Sequence, residues 1–391
     1  MKFIEETCKR CGTCLVECPY MEISPEKAKE AIDHMIETRT VSEISKNCFG
    51  CGCCDNICPT NSNPSQLSRE INLKKVKKQG IPRFFVISEE VPFNYASVAM
   101  QYDTELKEKT LREYLNPPRS EEMFYLGCSL SYIQTDLVQT KLLNGLPKIG
   151  GAKYCCGGYV YMFGDEELII KGNSLLEKFN ELGVKKFIMF CPGCLGMMKG
   201  VYSRLIPEFQ ENIEFQTFSQ YLIEKYHQNE IQFTTKINER ITFHDPCAWI
   251  GLDKEIFEAP RELLEILGAE VVEMKHHKKT ALCCGSPVSD NNQELYEKIS
   301  NIRITEAEEV RADIIAVSCT GCLRIAKPAQ KKNIETYHLL ELAQIAIGEK
   351  PPHRTIELRD KFDNLVEKTI NENPDLLKDK IIVKNGKIQK V

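Results

Sequence analysis

Eighteen of the nineteen cysteines in this 391-residue chain stand at spacings that suit metal ligation. The stretch Cys8-Lys-Arg-Cys11-Gly-Thr-Cys14-Leu-Val-Glu-Cys18-Pro19 separates its cysteines by two, two and three residues and ends in proline. The stretch Cys48-Phe-Gly-Cys51-Gly-Cys53-Cys54-Asp-Asn-Ile-Cys58-Pro59 repeats the pattern. A cubane of four irons needs four converging thiolates; a tight loop supplies three, and the fourth cysteine of each run reaches the other cluster. The spacing therefore assigns Cys8, Cys11, Cys14 and Cys58 to one [4Fe-4S] cluster, and Cys48, Cys51, Cys54 and Cys18 to a second. Zinc also accepts four cysteines, but two intact copies of an eight-ligand pattern favour iron. Cys53 is left over and reads as a small buried hydrophobe.

The other ten cysteines form two blocks of five. Each has one cysteine, then an adjacent Cys-Cys-Gly, then a Cys-x-x-Cys after an apolar run: Cys128, Cys155, Cys156, Cys191 and Cys194, followed by Cys247, Cys283, Cys284, Cys319 and Cys322. Cys155 and Cys283, Cys191 and Cys319, and Cys194 and Cys322 are each 128 positions apart, which marks an internal duplication. Five thiolates exceed what zinc or an ordinary cubane takes, and adjacent cysteines fit poorly on two corners of one tetrahedral site. They suit an enlarged cluster in which one thiolate bridges two irons, with the glycines of Cys-Cys-Gly letting the backbone turn closely.

The elements that must hold these cysteines follow from periodicity. Ser24-Pro25-Glu26 opens a helix between the two N-terminal runs, with a serine cap, proline in the first turn and apolar spacing of three to four. His34 falls in this helix and reads as a surface or packing residue rather than an iron ligand. From residue 123 on, short apolar strands alternate with helices. Met123–Gly127 leads into Cys128, Lys186–Phe190 into Cys191, Ile241–His244 into Cys247 and Asp313–Ser318 into Cys319, with helices at Glu167–Leu182 and Glu294–Val310. Such alternation indicates a parallel sheet in each half, and ligands gather at the carboxyl ends of such strands, where these cysteines fall. The fold expected is α/β: residues 1–75 a helical two-cluster ferredoxin domain, 76–122 a connecting arm, 123–235 and 236–350 duplicated Rossmann-like halves, and 351–391 a charged, loosely held or partner-binding extension. The run Lys74-Lys75-Val76-Lys77-Lys78 reads as a solvated helix face.

The clustered cysteines and the absence of a charged-then-apolar leader before Cys8 point to a reducing, cytoplasmic setting. No apolar run approaches the roughly 20 residues of a bilayer span. The net charge of −5 and dispersed basic residues give nucleic-acid binding no support. No Gly-x-Gly-x-x-Gly follows a strand, so neither flavin nor nicotinamide is expected. Electrons must then come from a partner, either a flavoprotein subunit or a membrane cytochrome.

The constellation resembles the D-type subunit of the heterodisulfide reductase family, in which a two-cubane ferredoxin domain is fused to two Cys-Cys-Gly (CCG) domains. The resemblance covers about Lys2 to Gly348 and includes all eighteen motif cysteines. It implies a non-cubane [4Fe-4S] cluster on each block of five, the two facing each other to cleave a disulfide of the CoM-S-S-CoB type. A disulfide takes up two electrons, so paired one-electron centres suit it. The chain departs from the family in three places. Twenty-six residues separate Cys128 from Cys155, against thirty-five between Cys247 and Cys283. Ala248-Trp249-Ile250-Gly251 follows His244-Asp245-Pro246-Cys247 where His and Gly-Arg are usual, and Ser286-Pro287-Val288-Ser289 replaces a glycine-rich stretch.

His244 is the candidate general acid for a leaving thiolate, although bracing the loop together with Asp245 is the more economical reading. Lys275-His276-His277-Lys278-Lys279 reads as a solvated connection, and Trp249 as a cluster shield or a core anchor. The alternative to a disulfide reductase is an electron-transfer subunit of a larger flavoprotein or reductase complex. A cleft that lets a small molecule reach the clusters separates the two.

Overall fold

The computed structural model describes residues 2–391 except 44, 46, 47, 290 and 291. Its N-terminal part is helical. Ser24 Oγ accepts from the Lys27 amide to open the helix Pro25–Thr38, as its sequence dictates. The buried face of that helix, Ala28, Ala31, Ile32, Met35 and Ile36, packs on Leu15, Leu67 and Ile71. The helix Pro64–Gln79 runs past the expected boundary at residue 75 and carries Lys74, Lys75, Lys77 and Lys78 on exposed positions. His34 is hydrogen-bonded to Thr40 at the surface.

After strand β1 (Ile81–Pro82) and the helix Thr104–Leu115, the chain builds two sheets of one topology. Strands β2 (Glu122–Leu126), β3 (Lys148–Gly150), β4 (Lys186–Met189) and β5 (Glu214–Thr217) are parallel in the order β3-β2-β4-β5. Strands β6 (Arg240–His244), β7 (Glu270–Val271), β8 (Ile314–Val317) and β9 (Glu335–His338) repeat it as β7-β6-β8-β9. Met123 to Leu126 and all of β8 are buried, which is why these strands read as continuous apolar runs rather than as alternation. The helices Asp165–Leu182 and Gln293–Glu309 stand at equivalent places in the two halves. One apolar cluster runs from Phe124 and Phe179 through Leu222 to Leu263, Leu264 and Leu339, so the halves share a core.

The C-terminal segment differs from expectation, because it is packed rather than loose. Helix Thr355–Glu372 buries Leu358 and Phe362 against Phe84 and Val98. Strands β10 (Lys380–Lys384) and β11 (Lys387–Lys390) form a hairpin, and β10 pairs with β1 through Ile81 and Ile381. Ile381 and Val383 then bury against Val86, Val91 and Phe163. The tail has little apolar surface of its own because its partners lie in the arm, far upstream in the sequence.

Candidate metal centres

Two groups of thiols converge in the N-terminal part. Cys14 feels Cys58, Cys8 and Cys11, and its thiol is pushed up to about 12, chiefly by burial and then by these neighbours. Cys54 is likewise raised by burial and by the charges of Asp55, Cys48, Cys14 and Cys51, and Cys18 by burial with Cys51 and Cys48 close by. Cys18 and Cys58 each therefore stand with the other run's cysteines. A cavity lined by Cys18, Cys48, Cys51 and Cys54 lies at the second group. Thiols so crowded and buried resist ionising on their own. A cation at the centre removes that penalty, so the donor set fits an iron–sulfur group.

In each half the five cysteines form one chain of thiol contacts. In the first it runs from Cys128 to Cys155, Cys156, Cys194 and Cys191. In the second it runs from Cys247 to Cys283, Cys284, Cys322 and Cys319. Gly157 and Gly285 follow the paired cysteines at φ of 72° and 87°. That left-handed turn, which residues with a Cβ disfavour, folds the paired cysteines back toward the Cys-x-x-Cys. All five cysteines of each block thus meet at the carboxyl ends of the central strands.

The two groups are set against each other by reciprocal contacts. The helix Pro192–Leu195, which carries Cys194, packs on the turn Cys247–Trp249. A Cβ on Gly196 would lie 2.4 Å from the Ala248 carbonyl oxygen. On the other side Thr320 Oγ1, next to Cys319, donates to Ser129 Oγ, next to Cys128, at 2.8 Å. Each half's first-cysteine loop thus meets the other half's Cys-x-x-Cys. A cleft opens beside this junction, walled by Cys51, Tyr161, Gly193, Met197 and Cys247. A continuous π-helical stretch, Gly196–Tyr202, forms part of its wall, a geometry frequent at functional sites.

The N-terminal part docks on the second half. Tyr20 Oη accepts from the Cys283 amide at 2.8 Å, Cys53 Sγ faces the Ala281 carbonyl at 3.8 Å, and Asn56 donates to the Lys279 carbonyl at 2.6 Å. Cys53 is buried as expected, and it sits in this seam. Sequence reasoning missed Tyr20, whose one signal is its place directly after Cys18-Pro19.

The expected pair His244 and Asp245 divides its roles. Asp245 braces: its carboxylate accepts from Arg261 at 2.9 and 2.8 Å and from the Lys278 amide at 2.7 Å. His244 is tied instead to the helix Gln293–Glu309. Its Nδ1 accepts from Arg303 Nε at 3.3 Å, and one of its ring nitrogens lies within 4.8 Å of the Sγ atoms of Cys284 and Cys322. Trp249 is a core anchor, stacked on Phe243 and edge-on to Phe257. In the 275–279 segment Lys275 and Lys279 are exposed, as a solvated connection requires, while half-buried His276 pairs with Glu306 and Lys278 with Glu258.

His338, also missed from sequence, caps the helix Leu339–Ala346 at the seam between the halves, with its ring stacked on Phe218. Burial pushes it down to about 4, against the opposing pull of Glu341. The unfolded chain protonates it near 6.5, so between pH 6.5 and 4 the unfolded state binds more protons. Stability should therefore be lost as pH falls through that window, by up to about 3 kcal/mol. Urea unfolding at pH 7 and pH 5.5 should show this loss, and His338→Asn, which keeps a capping acceptor, should flatten it.

The comparisons with known proteins agree with this geometry. Residues 124–199 and 241–325 each match the cysteine-rich domain CCG, so the chain carries two CCG domains. It is 26% identical to the D-type component of the Methanosarcina barkeri dihydromethanophenazine:CoB–CoM heterodisulfide reductase, across 88% of this chain and 94% of that one. The Methanosarcina mazei counterpart is 25% identical over the same shares. The EtfAB:quinone oxidoreductase of Syntrophomonas wolfei is 27% identical over 56% of this chain and 33% of its own length. The chain is therefore related to iron–sulfur oxidoreductase subunits. Among the described residues no helix is long and apolar enough to cross a membrane.

Proposed function

We propose that this chain is the disulfide-reducing subunit of an iron–sulfur oxidoreductase complex. The observation that carries the proposal is the pair of opposed five-cysteine groups beside a cleft that reaches Cys247. Cys8, Cys11, Cys14 and Cys58 would hold one cubane and Cys18, Cys48, Cys51 and Cys54 the other. The two blocks of five would hold non-cubane [4Fe-4S] clusters. When bound, these groups supply one-electron transfer, which a disulfide needs twice. Tyr20, Cys53 and Asn56 set the second N-terminal group against Cys283, so electrons from a flavoprotein or membrane-cytochrome partner would enter through the second half. The substrate class is a small disulfide such as that of coenzyme M and coenzyme B, the pair in the relatives' names. His244, placed at Cys284 and Cys322 with Arg303 donating to its Nδ1, would act there as an N–H hydrogen-bond donor rather than as the source of a transferred proton.

One observation favours the second reading, an electron relay to a protein acceptor. Of the ten cysteines in the two blocks, Cys247 alone lines the cleft. Anaerobic purification with iron and acid-labile sulfide counts, followed by reduced-dye assay on the coenzyme M–coenzyme B disulfide and simpler disulfides, decides between the two. About sixteen irons per chain with disulfide turnover supports the reductase. The same count with no turnover on any disulfide retires it in favour of the relay.

A further inference from the structure

Arg303 is fully buried in the helix Gln293–Glu309. It is held there by the Glu306 carboxylate, the His276 carbonyl at 2.9 Å and Met274 Sδ at 3.2 Å. Its Nε points at His244 Nδ1. A guanidinium donates only, so Nδ1 must present its lone pair and the proton of a neutral imidazole must sit on Nε2. That Nε2 is buried and makes no hydrogen bond, while one ring nitrogen lies within 4.8 Å of the sulfurs of Cys284 and Cys322.

The first half is built differently at the same two positions. Tyr125 pairs with Met189 where His244 pairs with Val317, and each residue precedes its block's first cysteine by three. The Tyr125 hydroxyl is spent on the Tyr154 carbonyl. Leu175, buried on the helix Asp165–Leu182, stands at the place of Arg303. What the first half has instead is a charge, with Lys171 lying close to Cys155 and Cys156.

We infer that Arg303 is a positioning residue that locks His244 as an N–H donor to the Cys284 and Cys322 sulfurs, tuning the second five-cysteine centre by a device the first lacks. Hydrogen bonds to cluster sulfur raise reduction potential, because they stabilise the more negative reduced state. Groups one step removed that fix a histidine's tautomer act through it in the same way. The inference rests on the iron–sulfur reading proposed above.

The test is an EPR-monitored redox titration of the full chain, purified anaerobically. Arg303→Leu and His244→Leu should lower the midpoint potential of one five-cysteine centre and leave the other three centres in place. Arg303→Lys, which can still donate to Nδ1, and His244→Gln, which keeps an amide N–H at similar reach, should restore most of the shift. Unmoved potentials in Arg303→Leu and His244→Leu at full iron content overturn the inference. So does equal behaviour of His244→Gln and His244→Leu, the pair that decides if Arg303→Leu loses the centre outright. Strong hyperfine coupling from labelled histidine nitrogen would make His244 a ligand and overturn it as well. A wild-type chain without iron overturns the iron–sulfur reading first, and this inference falls with it.

Discussion

Cys18→Ser is expected to abolish the second N-terminal centre while sparing the first, even though Cys18 belongs to the first run. Iron should fall by about four atoms per chain, one cluster's worth, and the five-cysteine centres should no longer be reduced from an external donor. Cys58→Ser should do the reverse and remove the centre of Cys8, Cys11 and Cys14. The ground for the crossing is electrostatic: the Cys18 thiol lies among Cys51 and Cys48, and Cys58 among Cys8 and Cys14. Cys53→Ala is the internal control, since Cys53 faces the Ala281 carbonyl across the docking seam and should leave the iron count unchanged. Iron analysis with EPR of each variant checks all three. Loss of the centre of Cys8, Cys11 and Cys14 in Cys18→Ser would show that each run closes on its own cluster. The effect on electron supply should be large because the second N-terminal group is the one docked on the second half, through Tyr20 and Asn56.

What the sequence made legible here was local. The strands before Cys128, Cys191 and Cys319 are apolar on both faces, and the Ser24-Pro25 helix start is chemically explicit, so both could be read from the sequence alone. The edge strands β3 and β7 are two or three residues long and carry too little periodicity to register. The C-terminal hairpin did leave a signal. Asn385-Gly386 between Ile381-Ile382-Val383 and Ile388 is the dipeptide that favours a tight turn, with φ of 51° and 73°, but the charged surroundings masked it. The contacts that distinguish the halves were not legible at all. His244 and Arg303 are 59 positions apart, and a buried arginine in a helix with many charged residues looks like any surface arginine. The duplication made the halves look alike, whereas the differences sit at single positions, His244 against Tyr125 and Arg303 against Leu175.

Asp245 is where that asymmetry bears on stability, and Asp245→Ala should be the most damaging single change outside the cysteines. Its carboxylate is wholly buried and takes both Arg261 nitrogens and the Lys278 amide. It therefore ties the end of β6 to the helix Lys254–Leu267 and to the turn that leads into Cys283. Arg261 is also held by Glu273 and the Phe257 carbonyl, and these contacts with Asp245 keep its charged form favoured despite burial. Removing one partner of a buried ion pair strands the other, at a cost of about 3–5 kcal/mol. Glu273 still pairs with Arg261 through Nε and Nη2, so the cost should lie at the lower end of that range. The loss should also be directional. The loop between Asp245 and Cys247 slackens, so the second five-cysteine centre should be lost first, while the first half, with apolar Leu126 at the equivalent place, keeps its own. Asp245→Asn, which still offers one acceptor oxygen to Arg261, should fall between wild type and alanine. Denaturant unfolding measured with iron content resolves the two effects. Equal loss of both five-cysteine centres in Asp245→Ala would mean that the shared core, rather than this brace, sets the position of Cys247.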